Sequence, residues 1–581
     1  MCRWCERSPI ADQLTAGLLL PARREFSADP DAARGGGPGA TPAPTIVFRN
    51  GTIRTMVAGR DRVEALAISG TTILATGSAE EVKAQAGPKA SVVDLQGRTL
   101  LPGLIDPHHH YTLSALLAQA LLNIGYSGFH TKAQALQRLT ATAATIPAGQ
   151  WIAAGFFDNL LQGGDLSVGD LDAVSTRHPI FVMYVNGHVG AANTAALQQA
   201  GIGQDVGTLP GGGHFGRGAD GALNGLMYEQ PALLRFVALA VPPVTPERIA
   251  TALTAYANEA AAAGNTTLHE PGTVKPEWVE RLADLSNSLP VRLSASFSTD
   301  AAEAGKVFAA LGPAARARRI AGSRLSLYGM KLWADGSNQA QMAAQTQPYL
   351  NSTERGTANY SPAQMAQLCQ TAKDAGWSIL VHCQGDAAVD EALDAIEAVY
   401  GPHPVTGVNR IEHATMARRD QIDRMKELGV EPSFIPDFIY LYGGAFRDQI
   451  FGAERAEFMS PFGAAADAGL GFSLHSDAPA TGLPINPLRH LQTAVTRRCA
   501  IDGSTVGPTW TLTVDAALRA ITVDAARHLG LGAELGTFEP AMQADLTILD
   551  GDPYGCDPDA IMAIPVSETW VAGERKFASR A

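Results

Sequence analysis

The sequence predicts an α/β protein: a (β/α)8 TIM barrel joined to a small β-sandwich built from both chain ends. Three observations predict it. Short β-like pieces occur near the start and return at the far end, eight strand-like pieces alternate with helical segments between them, and residues suited to metal chemistry sit at the ends of those strands.

Taken in order, residues 1–44 end in the Gly- and Pro-rich stretch Gly35-Gly36-Gly37-Pro38-Gly39, which has almost nothing to bury and reads as a disordered leader. From Thr45 the texture changes to β-like pieces at 45–48, 52–56, 65–69, 72–76 and 92–95, with a hairpin turn expected at Asn50-Gly51. Similar pieces at 544–549 and 566–577 complete a composite β-sandwich domain, expected over 45–100 and 535–581. Residues 101–534 form the barrel, interrupted by a mixed Gly-rich insertion at about 115–243. Leu101 to His110 reads as the first barrel strand, so that His108 and His110 share a face and His109 points away. The other strands are expected at 266–270, 291–297, 325–333, 377–382, 410–413, 430–434 and 472–475. Thr245-Pro246-Glu247 and Ser361-Pro362-Ala363-Gln364 read as helix starts, with an N-cap and proline in the first turn.

Composition excludes several function classes. A net charge of -13 and a pI near 5.5 lack the basic footprint that nucleic acid or an anionic membrane requires, so the expected partner is a small-molecule substrate. No run of about 20 apolar residues offers a membrane span. Six cysteines in 581 residues do not make a disulfide framework, which predicts a reducing, cytoplasmic home; Cys2-x-x-Cys5 has no second ligand pair near it. The oligomeric state stays open, a homo-oligomer included.

The strand ends carry the chemistry. His108 and His110 close the first, Lys331 lies in the fourth, His382 ends the fifth, Glu412-His413 the sixth, and the eighth runs into His475-Ser476-Asp477. Each alone has an ordinary explanation as a hydrogen-bonded core histidine or a turn aspartate. Their common placement on the rim where barrels hold their active sites is what points to a metal. Lys331 stands in an otherwise uncharged strand, where a lysine is paired, deprotonated or snorkelling.

The stretches Leu101-Pro102-Gly103-Leu104-Ile105-Asp106-Pro107-His108-His109-His110, Lys331-Leu332-Trp333-Ala334-Asp335-Gly336-Ser337, Val381-His382-Cys383-Gln384-Gly385-Asp386, Arg410-Ile411-Glu412-His413-Ala414 and Ser476-Asp477-Ala478-Pro479 resemble the amidohydrolase superfamily. The branch is that of N-substituted formamide deformylase-like metal-dependent hydrolases. The resemblance implies a hydrolase of amide, N-acyl or N-formyl bonds with one or two divalent ions; an imidazole-rich donor set with a carboxylate suits Zn2+. It implies that Lys331 can be carboxylated, that His108, His110, Lys331 and Asp477 hold one ion, and that Lys331, His382 and His413 hold the other. Asp477 would be the catalytic base, passing a proton from water to the leaving amine. The chain departs from the branch at Pro432-Ser433-Phe434-Ile435-Pro436-Asp437-Phe438, where polar pocket residues are usual, and at Asn186-Gly187-His188.

Alternatives on the same barrel are a deaminase or a carbamate or ester hydrolase; a metal-free scaffold is the alternative of another class. The deaminase lineage carries His-x-x-Glu at strand five, whereas Gly385 stands three residues after His382 here. The expected substrate-binding residues are His188, Trp333, Phe434 and Tyr440, with Phe156, Phe157 and Phe438 as further walls.

Overall fold

The computed structural model describes residues 44–209, 213–241, 245–272, 279–298, 318–320, 322–401 and 407–579. The expected leader, Pro44 apart, and the Cys2-x-x-Cys5 pair lie outside them.

Strands from both chain ends make one sheet, in the order Glu574–Ala578, Val566–Val571, Leu546–Leu549, Thr99–Pro102, Thr45–Arg54, Arg62–Ser69 and Thr72–Gly77, with Ser91–Asp94 also paired to Thr45–Arg54. Their inward residues, among them Phe48, Ile53, Leu66, Leu100, Leu546, Ile548 and Trp570, meet in one core. The Phe48 and Trp570 rings lie 5.3 Å apart although their strands are separated by three steps of the sheet, about 14 Å when flat. The sheet therefore curls over its own core. Asn50-Gly51 does not turn the chain. Thr45–Arg54 runs straight through it as one strand, with the register against Arg62–Ser69 slipping between Arg49 and Ile53 and Asn50 at φ 62°. Glycine is needed there for close approach, since a Cβ on residue 51 would lie 2.3 Å from the Arg98 carbonyl oxygen.

The eight barrel strands are Leu104–Asp106, Asn265–Pro271, Arg292–Phe297, Leu325–Trp333, Ile379–Cys383, Asn409–His413, Val430–Phe434 and Ser473–Leu474, each parallel to the next. Past the strand ends, Asp477 N donates to His108 O at 3.0 Å and His110 N to Ala478 O at 3.0 Å, tying the last strand to the first. Leu325–Trp333 is buried at every position, as a parallel strand covered on both faces must be. Helix Pro246–Ala262 starts at the Thr245 cap, and helix Pro362–Asp374 at the Ser361/Gln364 capping box.

The expected first strand is divided. Thr99–Pro102 belongs to the curled sheet and Leu104–Asp106 to the barrel, with Gly103 at the crossing, where a Cβ would lie 2.1 Å from Thr266 Oγ1. The three histidines follow the strand rather than ending it.

Between the first two barrel strands the chain builds a third sheet, ordered His214–Arg217, Leu223–Tyr228, Val189–Ala192, Ile180–Tyr184, Ile152–Phe157 and Leu122–Asn123. Its own core holds Ile152, Phe157, Ile180, Val182 and Tyr184, so Phe157 is a structural residue of this sheet. Among the described residues no helix is long and apolar enough to cross a membrane.

Candidate metal centre

Four of the expected ligands gather directly around His108. Its Nε2 lies 3.1 Å from Lys331 Nζ and 3.2 Å from Asp477 Oδ1, and its ring centroid is 5.4 Å from that of His110 and 4.8 Å from that of His413. His110 Nε2 is 3.4 Å from the same Asp477 oxygen. The fifth, His382, joins through His413, the two ring centroids lying 4.6 Å apart. Donor atoms of His108, His413 and Asp477 all lie within 4.8 Å of one another and all three residues are buried, which is spacing that one cation can bridge. This group joins residues that the resemblance divides between two ions.

The alternation of the histidine triplet survives the loss of the strand beneath it. His109 turns away from the cluster, its Nδ1 3.0 Å from Asp106 Oδ2 and from Ser476 Oγ, its Nε2 3.0 Å from Tyr256 Oη. Two backbones are bent to bring the rest together. His413 has φ 69° and Asp477 φ 53°, left-handed conformations that cost a non-glycine residue energy and cluster at functional sites. Strict strand alternation would send Glu412 and His413 to opposite faces; the bend at His413 lets both serve one rim.

Around these side chains lies a supporting layer that the sequence did not single out by role. Glu412 Oε2 accepts from His108 Nδ1, while Glu412 Oε1 accepts from Arg410 Nε at 2.6 Å, all of it buried. A carboxylate on Nδ1 fixes the tautomer that leaves Nε2 bare, the usual arrangement behind a metal-binding imidazole. Burial, and then the Lys331 ammonium, hold His108 far below the usual imidazole range; burial, with His382 next, does the same to His413. Burial also lowers His110, but hydrogen bonds to Asp477 and Glu270 outweigh it and raise that group. Glu412 was legible as a strand-end acid, but its partner, 304 residues away in sequence, was not.

Lys331 is 1% exposed and its ammonium lies 5.1 Å from the Trp333 ring centroid. Gly272, at φ 82°, clears the space beside it, since a Cβ there would lie 2.6 Å from Lys331 Cβ. Above the cluster opens a cavity of roughly 640 Å³ including its mouth, whose walls include Leu113, Val185, Trp333 and Phe438, with His188 and Gln339 among its polar residues. His188 arrives from the inserted sheet and lies 3.3 Å, through Nδ1, from Glu229 Oε2. Phe434 and Tyr440 do not line this cavity. Val430–Phe434 alternates, and because Ser433 faces the barrel interior, Phe434 points outward to pack on Phe462 and Phe472. Tyr440 lies under the Arg489 guanidinium, 5.7 Å from ring centroid to charge. Phe156 is likewise outside the lining and sits against Gly482.

Imidazoles with bare nitrogens, a buried aspartate and a lysine turned onto an imidazole lone pair fit a divalent cation in their chemistry. The chain is 28% identical over 545 residues to N-substituted formamide deformylase of Arthrobacter pascens, covering 92% of this chain and 98% of the relative. It is 26% identical over 544 residues to the putative amidohydrolase YtcJ of Bacillus subtilis, covering 91% and 98%. Its fold is similar to that of an uncharacterized metal-dependent hydrolase from Pyrococcus horikoshii, with TM-score 0.68 and 22% identity over 89% of this chain and 99% of that one. The sequence model of the amidohydrolase family matches residues 91–577, and the chain therefore belongs to that family, as a hydrolase of carbon–nitrogen bonds other than peptide bonds.

Proposed function

We propose that this protein cleaves the carbon–nitrogen bond of a small N-acyl or N-formyl amine in the cytoplasm, with zinc as its metal. The observation that carries the reading is the convergence of His108, His413 and Asp477 donor atoms, with Lys331 against His108 and with His413, Asp477 and Lys331 lining the cavity. His108, His110, Lys331 and Asp477 would hold one ion, and Lys331, His382 and His413 a second. Loss of a proton from the Lys331 ammonium, then addition of carbon dioxide to the neutral amine with release of a second proton, would replace a positive charge among imidazoles by a carbamate that could offer two oxygens to metal. A bound divalent ion supplies Lewis-acid charge and lowers the pKa of water toward neutrality.

The remaining steps belong to the chain. Asp477 accepts the proton that water loses as its oxygen attacks the carbonyl carbon. As the carbon–nitrogen bond breaks, Asp477 returns that proton to the departing nitrogen, giving a carboxylic acid and an amine. His188 faces the substrate from the inserted sheet. Leu113, Val185, Trp333 and Phe438 favour an apolar substituent over the site. Four cysteines, Cys369, Cys383, Cys499 and Cys556, are free, which supports a reducing compartment.

Purified protein assayed against a panel of N-formyl and N-acyl amines, with metal content measured on the same sample, tests the reading. Turnover of at least one amide with about one or more zinc ions per chain is expected. An active preparation carrying less than about half an ion per chain refutes the metal assignment.

A further inference from the structure

From His413 an unbroken series of hydrogen bonds runs down the inside of the barrel to the opposite face. His413 Nδ1 lies 3.0 Å from His475 Nε2, His475 Nδ1 2.9 Å from Ser433 Oγ, Ser433 Oγ 2.8 Å from Ser473 Oγ, Ser473 Oγ 2.8 Å from His528 Nδ1, and His528 Nε2 2.8 Å from Glu431 Oε2. His413, Ser433, Ser473, His475 and His528 are fully or almost fully buried. Glu431 is at the start of strand seven, the end away from the cavity, and Arg527 caps both its oxygens at 2.5 Å.

We infer that Glu431 sets the tautomer of His413 through this relay, placing the proton on Nδ1, which also lies 3.9 Å from Asp477 Oδ2, and leaving Nε2 as the nitrogen without a proton that can bind metal. The inference rests on the metal reading above. Each link follows from the one below it. A carboxylate only accepts, so His528 Nε2 must carry its proton, and the Nδ1 of that neutral ring must then accept from Ser473. Ser473 has one hydroxyl hydrogen, now spent, so Ser433 donates to it. Ser433 is spent in turn, so His475 Nδ1 donates, its Nε2 accepts, and His413 Nδ1 is the donor. One proton sits on each link and all point toward Glu431. Reversing the direction at any single link would oppose two donors or two acceptors inside a dry barrel, where an unmade hydrogen bond costs about 1–3 kcal/mol. The arrangement is the same device as Glu412 behind His108, but its carboxylate stands four residues further off. Arg527 holds Glu431 ionised: despite burial, its partners His528 and Arg527 bring that carboxyl down to about 2.

The test is zinc affinity, measured by competition with a chelator of known strength, in full-length Ser473→Ala, Ser473→Thr and Glu431→Leu proteins. Supporting groups behind metal ligands typically govern about 10–100-fold in affinity. Ser473→Ala, and Glu431→Leu, which leaves His528 Nε2 no acceptor, should each weaken zinc binding by about tenfold or more. Ser473→Thr keeps the hydroxyl and should keep the affinity. If Ser473→Ala does not fold, Glu431→Leu reads the same relay from its other end. Wild-type protein that takes up no zinc overturns the metal reading and the relay with it. Zinc-loaded wild type with equal affinity in Ser473→Ala or Glu431→Leu overturns the relay alone.

Discussion

Asp477 is held where it can do two jobs. One oxygen faces both His108 and His110, and the residue sits in a left-handed backbone conformation. Asp477→Asn preserves shape and one coordinating oxygen but cannot take a proton. Turnover of the amide found in the screen should fall at least about a hundredfold while the thermal midpoint stays near wild type. Unchanged turnover would end its role as base. Lys331→Ala should lose metal and activity together, read by elemental analysis beside the assay; a variant that keeps its full metal complement refutes the bridging role. At this scale the candidate residues were legible, because histidines, a lysine and an aspartate at or just past the ends of several barrel strands are conspicuous in an apolar sequence. Phe434 and Tyr440 misled because aromatic character says nothing about which face of a strand or helix a ring occupies.

The barrel strands were legible as elements because buried parallel strands read as apolar runs with a polar residue near the end, as Leu325–Trp333 with Lys331 and Ile379–Cys383 with His382 do. The Asn50-Gly51 hairpin and the continuous first strand were misread for a common reason. Glycine there answers to a neighbour distant in sequence, Arg98 in one case and Thr266 in the other, and no local pattern announces that. Gly103 accordingly matters as a crossing point between sheet and barrel. Gly103→Ala should destabilise the protein by about 1–3 kcal/mol, the usual range for overpacking, in a denaturant titration with unchanged slope. A stability within about 0.5 kcal/mol of wild type would show that Thr266 yields freely.

For the whole molecule, acid should be the effective denaturant. His528 is buried and neutral, its pKa lowered to about 4 chiefly by burial, whereas an unfolded histidine titrates near 6.5. Between those values the unfolded chain binds the extra proton, so stability present above pH ~6.5 is lost as pH falls toward about 4. Glu431, held down to about 2, adds a second loss as pH falls below its unfolded value of about 4.5. The thermal midpoint of metal-free protein should drop across the first interval; a midpoint flat from pH 7 to about 4.5 would contradict it. The curled sheet carries a different consequence, one of timing. Leu101 pairs with Thr547, 446 residues later, so at roughly 5–20 residues per second of synthesis its partner strand emerges tens of seconds after it does. Throughout that interval the edge beside the histidine triplet lacks its partner strand and is open to pairing with another chain.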